Sequence, residues 1–167
     1  MIQIYDKNTI KPTTNGKMVL LPNSCKLQAT LNGSWILNMN HPTDSEGRWK
    51  YIEEESILSV PTFVGKGQLF RVNKLTKKDY SIDVVAYPIF FDAAKEVFLE
   101  DVRPTIKNGQ EALDIMTSGT NFEGKSDIST SSTAYFERRN LLDAISGSDE
   151  PTSVSYTHLT LPTTERV

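Results

Sequence analysis

The chain has 167 residues, 38% of them hydrophobic and 23% charged, which suits one globular domain, or one and part of another, and is too apolar for disorder. Eighteen basic residues against 21 acidic ones leave a net charge of −3, so nothing in the electrostatics points to nucleic acid as a partner. The single cysteine, Cys25, excludes an intrachain disulfide framework, and the longest apolar run, Val84–Phe91, is broken by Pro88 and too short for membrane insertion.

From the N-terminus, Met1–Tyr5 alternates as a strand and lacks the basic region and apolar core of a secretion signal. Lys11–Gly16 carries proline and Asn-Gly turn signals, and Met18–Leu21 follows as a short apolar run ended by Pro22. In Lys26–Leu31, residues Leu27, Ala29 and Leu31 share one face of a strand. Asn32-Gly33 then predicts a two-residue hairpin turn, because both central positions of that turn need positive φ. The returning strand, Ser34–Asn40, sets Trp35, Leu37 and Met39 against Asn38 and Asn40.

His41–Gly47 reads as a polar loop with His41 as a turn residue; it lacks the acidic spacing of a calcium loop, and no metal is expected. Three adjacent glutamates, Glu53–Glu55, form a solvated edge, since acid catalysis needs carboxylates on opposite sides of a bond. Gly65 and Gly67 are too few for a phosphate loop and precede a strand rather than a helix. Lys74–Asp79 is read as a second hairpin tip, with Lys74, Lys77 and Lys78 solvated, and Tyr80–Tyr87 returns with Tyr80, Ile82, Val84 and Ala86 on one side. Two such hairpins with tryptophans on the core face suit a small antiparallel barrel or sandwich.

After Asp92 the texture changes. Residues 92–107 mix short apolar groups with acids, and Asn108–Glu111 is a helix start with Asn108 as cap and Glu111 three positions on. Ala112, Leu113, Ile115 and Met116 supply the apolar stripe, and Ser118-Gly119 closes it. Ser126–Thr133 is a strand edge or loop, and a second short helix begins in Arg138–Ile145, capped by Asn140 and ended by Gly147. The fold class is therefore mainly β (α+β): an antiparallel, barrel-like domain over residues 1–92, then a partial α+β domain over 93–153. No catalytic, cofactor-binding or metal site is assigned: one cysteine in a turn and one histidine before a proline give no triad or ligand spacing.

The last fourteen residues, 154–167, stand apart. Val154–Thr163 is similar to a translated transposase adaptor from short-read DNA sequencing; the codons GTC TCT TAT ACA CAT CTG ACG CTG CCG ACG encode it in order. On that reading His158 is foreign, the native sequence stops near Ser153, and the gene continues beyond it.

Several short stretches carry a resemblance in their order. Leu31–Leu37 is followed by a polar loop, then Gly67–Val72, then a tyrosine-bearing strand running into Ala86–Asp92, then the helix at Gly109–Met116 and Asn140-Leu141-Leu142. That order resembles the N-terminal region of phage minor structural proteins, the tail-associated or prophage tail endopeptidase family of phages infecting Gram-positive bacteria. The resemblance implies a homotrimeric hub at the virion tail tip, made in the bacterial cytoplasm and docked on the tail tube and distal tail proteins. It implies no cofactor, and places any peptidase or glycan-degrading domain C-terminal to this region. The residues alone leave two alternatives open: a carbohydrate- or cell-surface-binding module with Trp35, Trp49 and Tyr51 as a stacking platform, and a fragment of a tail-associated peptidoglycan-degrading enzyme.

Overall fold

A computed structural model describes residues 1–9, 12, 15–30, 35–63 and 65–146, and the chain divides after Ile89 into two compact units. The first is built from β1 (Ile2–Tyr5), β2 (Met18–Leu20), β3 (Ser24–Ala29), β4 (Trp35–Pro42), β5 (Ile57–Thr62), β6 (Gly65–Lys77) and β7 (Ser81–Pro88). These strands form one seven-stranded sheet in the order β2-β1-β5-β6-β7-β4-β3, every neighbouring pair antiparallel. The mainly β, barrel-like class expected from the alternating apolar pattern is the class observed.

The inward face is chosen by the period of two. Leu37, Met39 and His41 on β4 lie opposite Ala86, Val84 and Ile82 on β7, and all six are buried. Ile2, Ile4, Leu20, Leu58, Val60, Phe70 and Val72 complete the same core, with Trp35, Trp49, Leu27 and Leu75 packed against it. Tyr5, Ile57 and Ile89, joined by Leu69, make a smaller cluster.

Two irregularities bend the sheet. The β5–β6 register shifts between Val60 and Thr62, where Pro61 has no N–H to give a ladder. The β6–β7 register shifts between Val72 and Lys74, so Asn73 is an extra residue on the longest strand. Each bulge adds local twist and curl. How far the curl goes follows from the chain itself. β2 and β3 are the opposite edges of the sheet, yet only Leu21, Pro22 and Asn23 separate them. Four Cα steps reach at most about 14 Å. The sheet must therefore roll until its edges approach, and β2 and β3 act as one strand cornered at Pro22. Gly16, just before that strand, has no room for a side chain: a Cβ there would stand 2.5 Å from the Ile4 carbonyl oxygen.

The β3–β4 hairpin exists as expected, but its register does not match the turn signal. A two-residue turn at Asn32-Gly33 with continuous pairing would set Ala29 opposite Ile36; the strands instead pair Ala29 with Trp35 and Leu27 with Leu37. The observed register puts Leu27 beside Leu37 on the core side, and a one-residue slip would have placed it beside Asn38. Burial of the matching faces outweighs a local turn preference. Asn32 and Gly33 themselves lie outside the described residues, as do Thr13 and Thr14 of the first turn signal, Gly147 and the stretch 154–167.

Three other expectations are corrected. β4 runs on through His41 and Pro42, so His41 is a buried strand residue and not part of the polar loop. β6 continues to Lys77, which leaves Lys74 and Lys77 in the strand and moves the hairpin tip to Lys78–Tyr80, where Lys78 N–H donates to the Ser81 carbonyl. Tyr80 is consequently exposed, while Ile82, Val84 and Ala86 keep their inward face.

The second unit holds α1 (Ala93–Glu96), β8 (Phe98–Val102), α2 (Gly109–Thr117), β9 (Phe136–Asn140) and α3 (Leu141–Ser146). α2 starts where the sequence says. The Asn108 side chain accepts from Glu111 N–H at 2.9 Å and the Glu111 carboxylate accepts from Asn108 N–H at 3.1 Å. Gly119, at φ 77°, follows its last turn. Asn108→Ala removes one of those bonds and is expected to cost about 1 kcal/mol. A urea titration followed by the helical circular-dichroism signal measures it.

Asn140 caps α3 as expected, accepting from Asp143 N–H at 2.9 Å, but Arg138 and Arg139 belong to β9 and not to the helix. The β8–β9 ribbon and α1 are additional to the elements expected from the sequence. Leu99, Leu113, Phe122, Phe136, Leu141 and Ile145 are the larger members of this unit's core. The serine- and threonine-rich stretch is irregular, with one isolated bridge from Ser132 to Lys107.

Candidate functional site

Each residue type capable of chemistry can be followed to its place. His41 lies at the seam of the rolled sheet and is fully buried. Its Nε2 accepts from the Leu21 backbone N–H at 3.3 Å, and its Nδ1 lies 2.7 Å from the Pro42 carbonyl oxygen. A carbonyl only accepts and an N–H only donates, so these two contacts fit the tautomer with its proton on Nδ1. Both nitrogens are committed to backbone, which leaves neither for a substrate.

Cys25 is exposed on β3, and partial burial of its sulfur pushes the thiol above its ordinary range, away from the reactive thiolate. Glu53, Glu54 and Glu55 are exposed, as the sequence implies. Glu55 adopts φ 69° and its carbonyl accepts from Arg71 Nη1 at 2.9 Å, so its backbone is a fastening point for the sheet. No group of three or more metal-ligating side chains occurs among the described residues.

The three aromatic residues named for a stacking platform differ in exposure. Trp35, on β4, is half-buried against the core and covered by Phe63, with ring centroids 5.3 Å apart. Trp49 sits on a separate 3₁₀ turn, Arg48–Tyr51, half-buried against the same core with Lys50 Nζ 5.9 Å from its ring. Only Tyr51 of the three is exposed.

What the structure presents outward is edges and polar clusters. β3 is an edge strand along its whole length, with only Leu27 turned partly in. Across the sheet end nearest it, Asn23 donates to Asn40 at 3.0 Å and Asn40 donates to Asp83 at 2.6 Å. Lys78 beside Asp83, and then Asn40, hold that carboxyl below its ordinary range.

On the second unit, Asp101 and Glu137 stand directly opposite each other on β8 and β9, an arrangement of like charges that repels. Arg103 offsets it with a two-pronged bond to Asp101 at 2.7 and 3.0 Å while lying 4.5 Å from the Tyr135 ring centroid. The Tyr135 hydroxyl donates to Glu137 at 2.7 Å, and that bond is the main reason its proton is held more tightly than usual. Nearby Ile106 takes φ 51°, a costly conformation for a branched residue, and is exposed. Neither this cluster nor the Trp35–Phe63 contact has a signal in the sequence, because both join residues far apart in the chain.

Rolled sheet, edge strand and following helical unit together allow a comparison with solved structures. The chain shares its fold with a prophage tail protein. The crystal structure of prophage tail protein gp18 from Listeria monocytogenes EGD-e matches it with a TM-score of 0.62 at 17% sequence identity. The match covers 84% of this chain and 42% of gp18, so the chain spans well under half of gp18's length. Because the first unit ends at Ile89 of 167 residues, a match this broad takes in residues of both units. No protein-family model matches the sequence, and no curated protein does.

Proposed function

We propose that this chain is the N-terminal part of a structural component of a phage or prophage tail, seated at the tail tip as part of the baseplate hub. The fold shared with gp18 over residues of both units carries this reading. In it, the rolled sheet is an assembly module that packs as a homotrimer and docks on the tail tube and distal tail proteins, with paired edges and broad surfaces in place of a reactive cleft. The commitment of both His41 nitrogens to backbone and the raised Cys25 thiol support a non-catalytic role for this stretch. Any lytic or peptidase activity of the whole protein belongs, on this proposal, to its C-terminal part.

Immunogold electron microscopy of purified virions with an antibody against residues 1–89 tests the assignment. The expected result is label at the tip of the tail. Label on the head or along the tail shaft, or none on intact and disrupted virions, would refute it.

A further inference from the structure

We propose that His41 is an acid-sensitive latch on the seam of the rolled sheet. The two edges of the sheet, β2 and β3, meet at the Pro22 corner, where one of the links across to β4 is a side chain: the Leu21 N–H donates to His41 Nε2. The next link, from Asn23 N–H to the Asn40 carbonyl at 2.8 Å, already belongs to the β3 side. β2 is only three residues long and its strand ladder is with β1 alone, so the Leu21–His41 bond, one residue beyond its end, is a direct link from it to the far side of the seam.

A proton taken from water onto Nε2 turns that acceptor into a donor. Two N–H groups then face each other at the seam, and a positive charge sits where no water reaches it. The ionisable groups on the surrounding elements are Lys17 ahead of β2, Cys25 and Lys26 on β3, Arg48, Lys50 and Tyr51 in the 3₁₀ turn, and Asp83 and Tyr87 on β7. Lys17 pairs with Asp6, Arg48 with Asp44 and Glu46, and Asp83 with Lys78, and none of these groups forms an ion pair with the ring. Among the described residues, the ring's hydrogen-bond partners are backbone groups and none is a carboxylate that would compensate a charged imidazole. Acidification therefore breaks the Leu21–His41 link and loosens the chain at the Pro22 corner, while the β4–β7 ladder, built on backbone bonds, stays paired.

The test is NMR on the full chain carrying His158→Ala, which leaves one imidazole signal. The His41 ring resonances and the hydrogen exchange of the Leu21 amide are followed from about pH 7.5 to 5. Leu21 protection should fall at least about tenfold as the ring becomes charged, with Met39 and Val84 amides unchanged. A ring that becomes charged while Leu21 stays protected overturns the proposal, as does a ring that stays neutral over the whole range. His41→Gln keeps an acceptor near the Nε2 position but binds no proton, so its Leu21 protection should not depend on pH; parallel loss there also overturns it. Should that variant not fold, the pairing of ring and amide signals in the His158→Ala chain decides by itself.

Discussion

Phe70→Ala is expected to destabilise the first unit by about 3–5 kcal/mol, the range for truncating a fully buried aromatic residue. Phe70 lies in the middle of the longest strand, is completely buried, and pairs with Leu58 on one side and Pro88 on the other. Rolling a sheet around its core leaves no second layer that can slide in to refill the space, so the cavity term stays near its full value. Domains of this size have only about 5–15 kcal/mol in total. Both tryptophans of the chain, Trp35 and Trp49, pack on this same core, so their emission reports on it. A urea titration followed by tryptophan fluorescence should show the midpoint fall sharply. A shift of less than about 1 kcal/mol would mean that Phe70 is not in a closed core.

Phe136→Ala should have a comparable effect on the second unit, about 3–5 kcal/mol, with a different optical signature. Phe136 is buried among α-helical and ribbon residues, opposite Val102. A two-stranded ribbon is marginal without helices packed on it, so losing its largest buried side chain threatens the whole unit. The described α-helices all lie in this unit, whereas both tryptophans lie in the other. The expected result is a helical circular-dichroism signal that melts earlier while tryptophan emission keeps its original transition. Coincident movement of both signals would show the two units to unfold as one.

How much of this was legible in the sequence depends on the range of the interaction. Most strands of the first unit, though not the ends of β4 and β6, the inward positions Leu37, Met39, Ile82, Val84 and Ala86, though not Tyr80, and the Asn108–Glu111 cap are written in neighbours two to four residues apart. His41 was misplaced because its role comes from Leu21, twenty residues away, which reaches it only once the sheet has rolled. The Asn32-Gly33 signal misled about register for a related reason: the match of Leu27 with Leu37 is a property of two strands, and it outweighs what a dipeptide prefers. The β8–β9 ribbon is not legible in the sequence because its partners are nearly forty residues apart and Arg138, at φ 50°, interrupts the alternation that would mark it. Nothing in composition or periodicity distinguishes an assembly domain from any other small barrel; what the comparison adds is the fold shared with gp18.

The proposed function requires the antiparallel sheet of the first 89 residues, rolled at Pro22, to sit around the axis at the end of a phage tail. A cryo-electron-microscopy reconstruction of intact tails addresses it directly. The account predicts tip density that fits this sheet, strand order and cornered strand included, in three copies around the axis. A tip map fully explained by other chains, with this sheet fitting nowhere in it, would contradict the account.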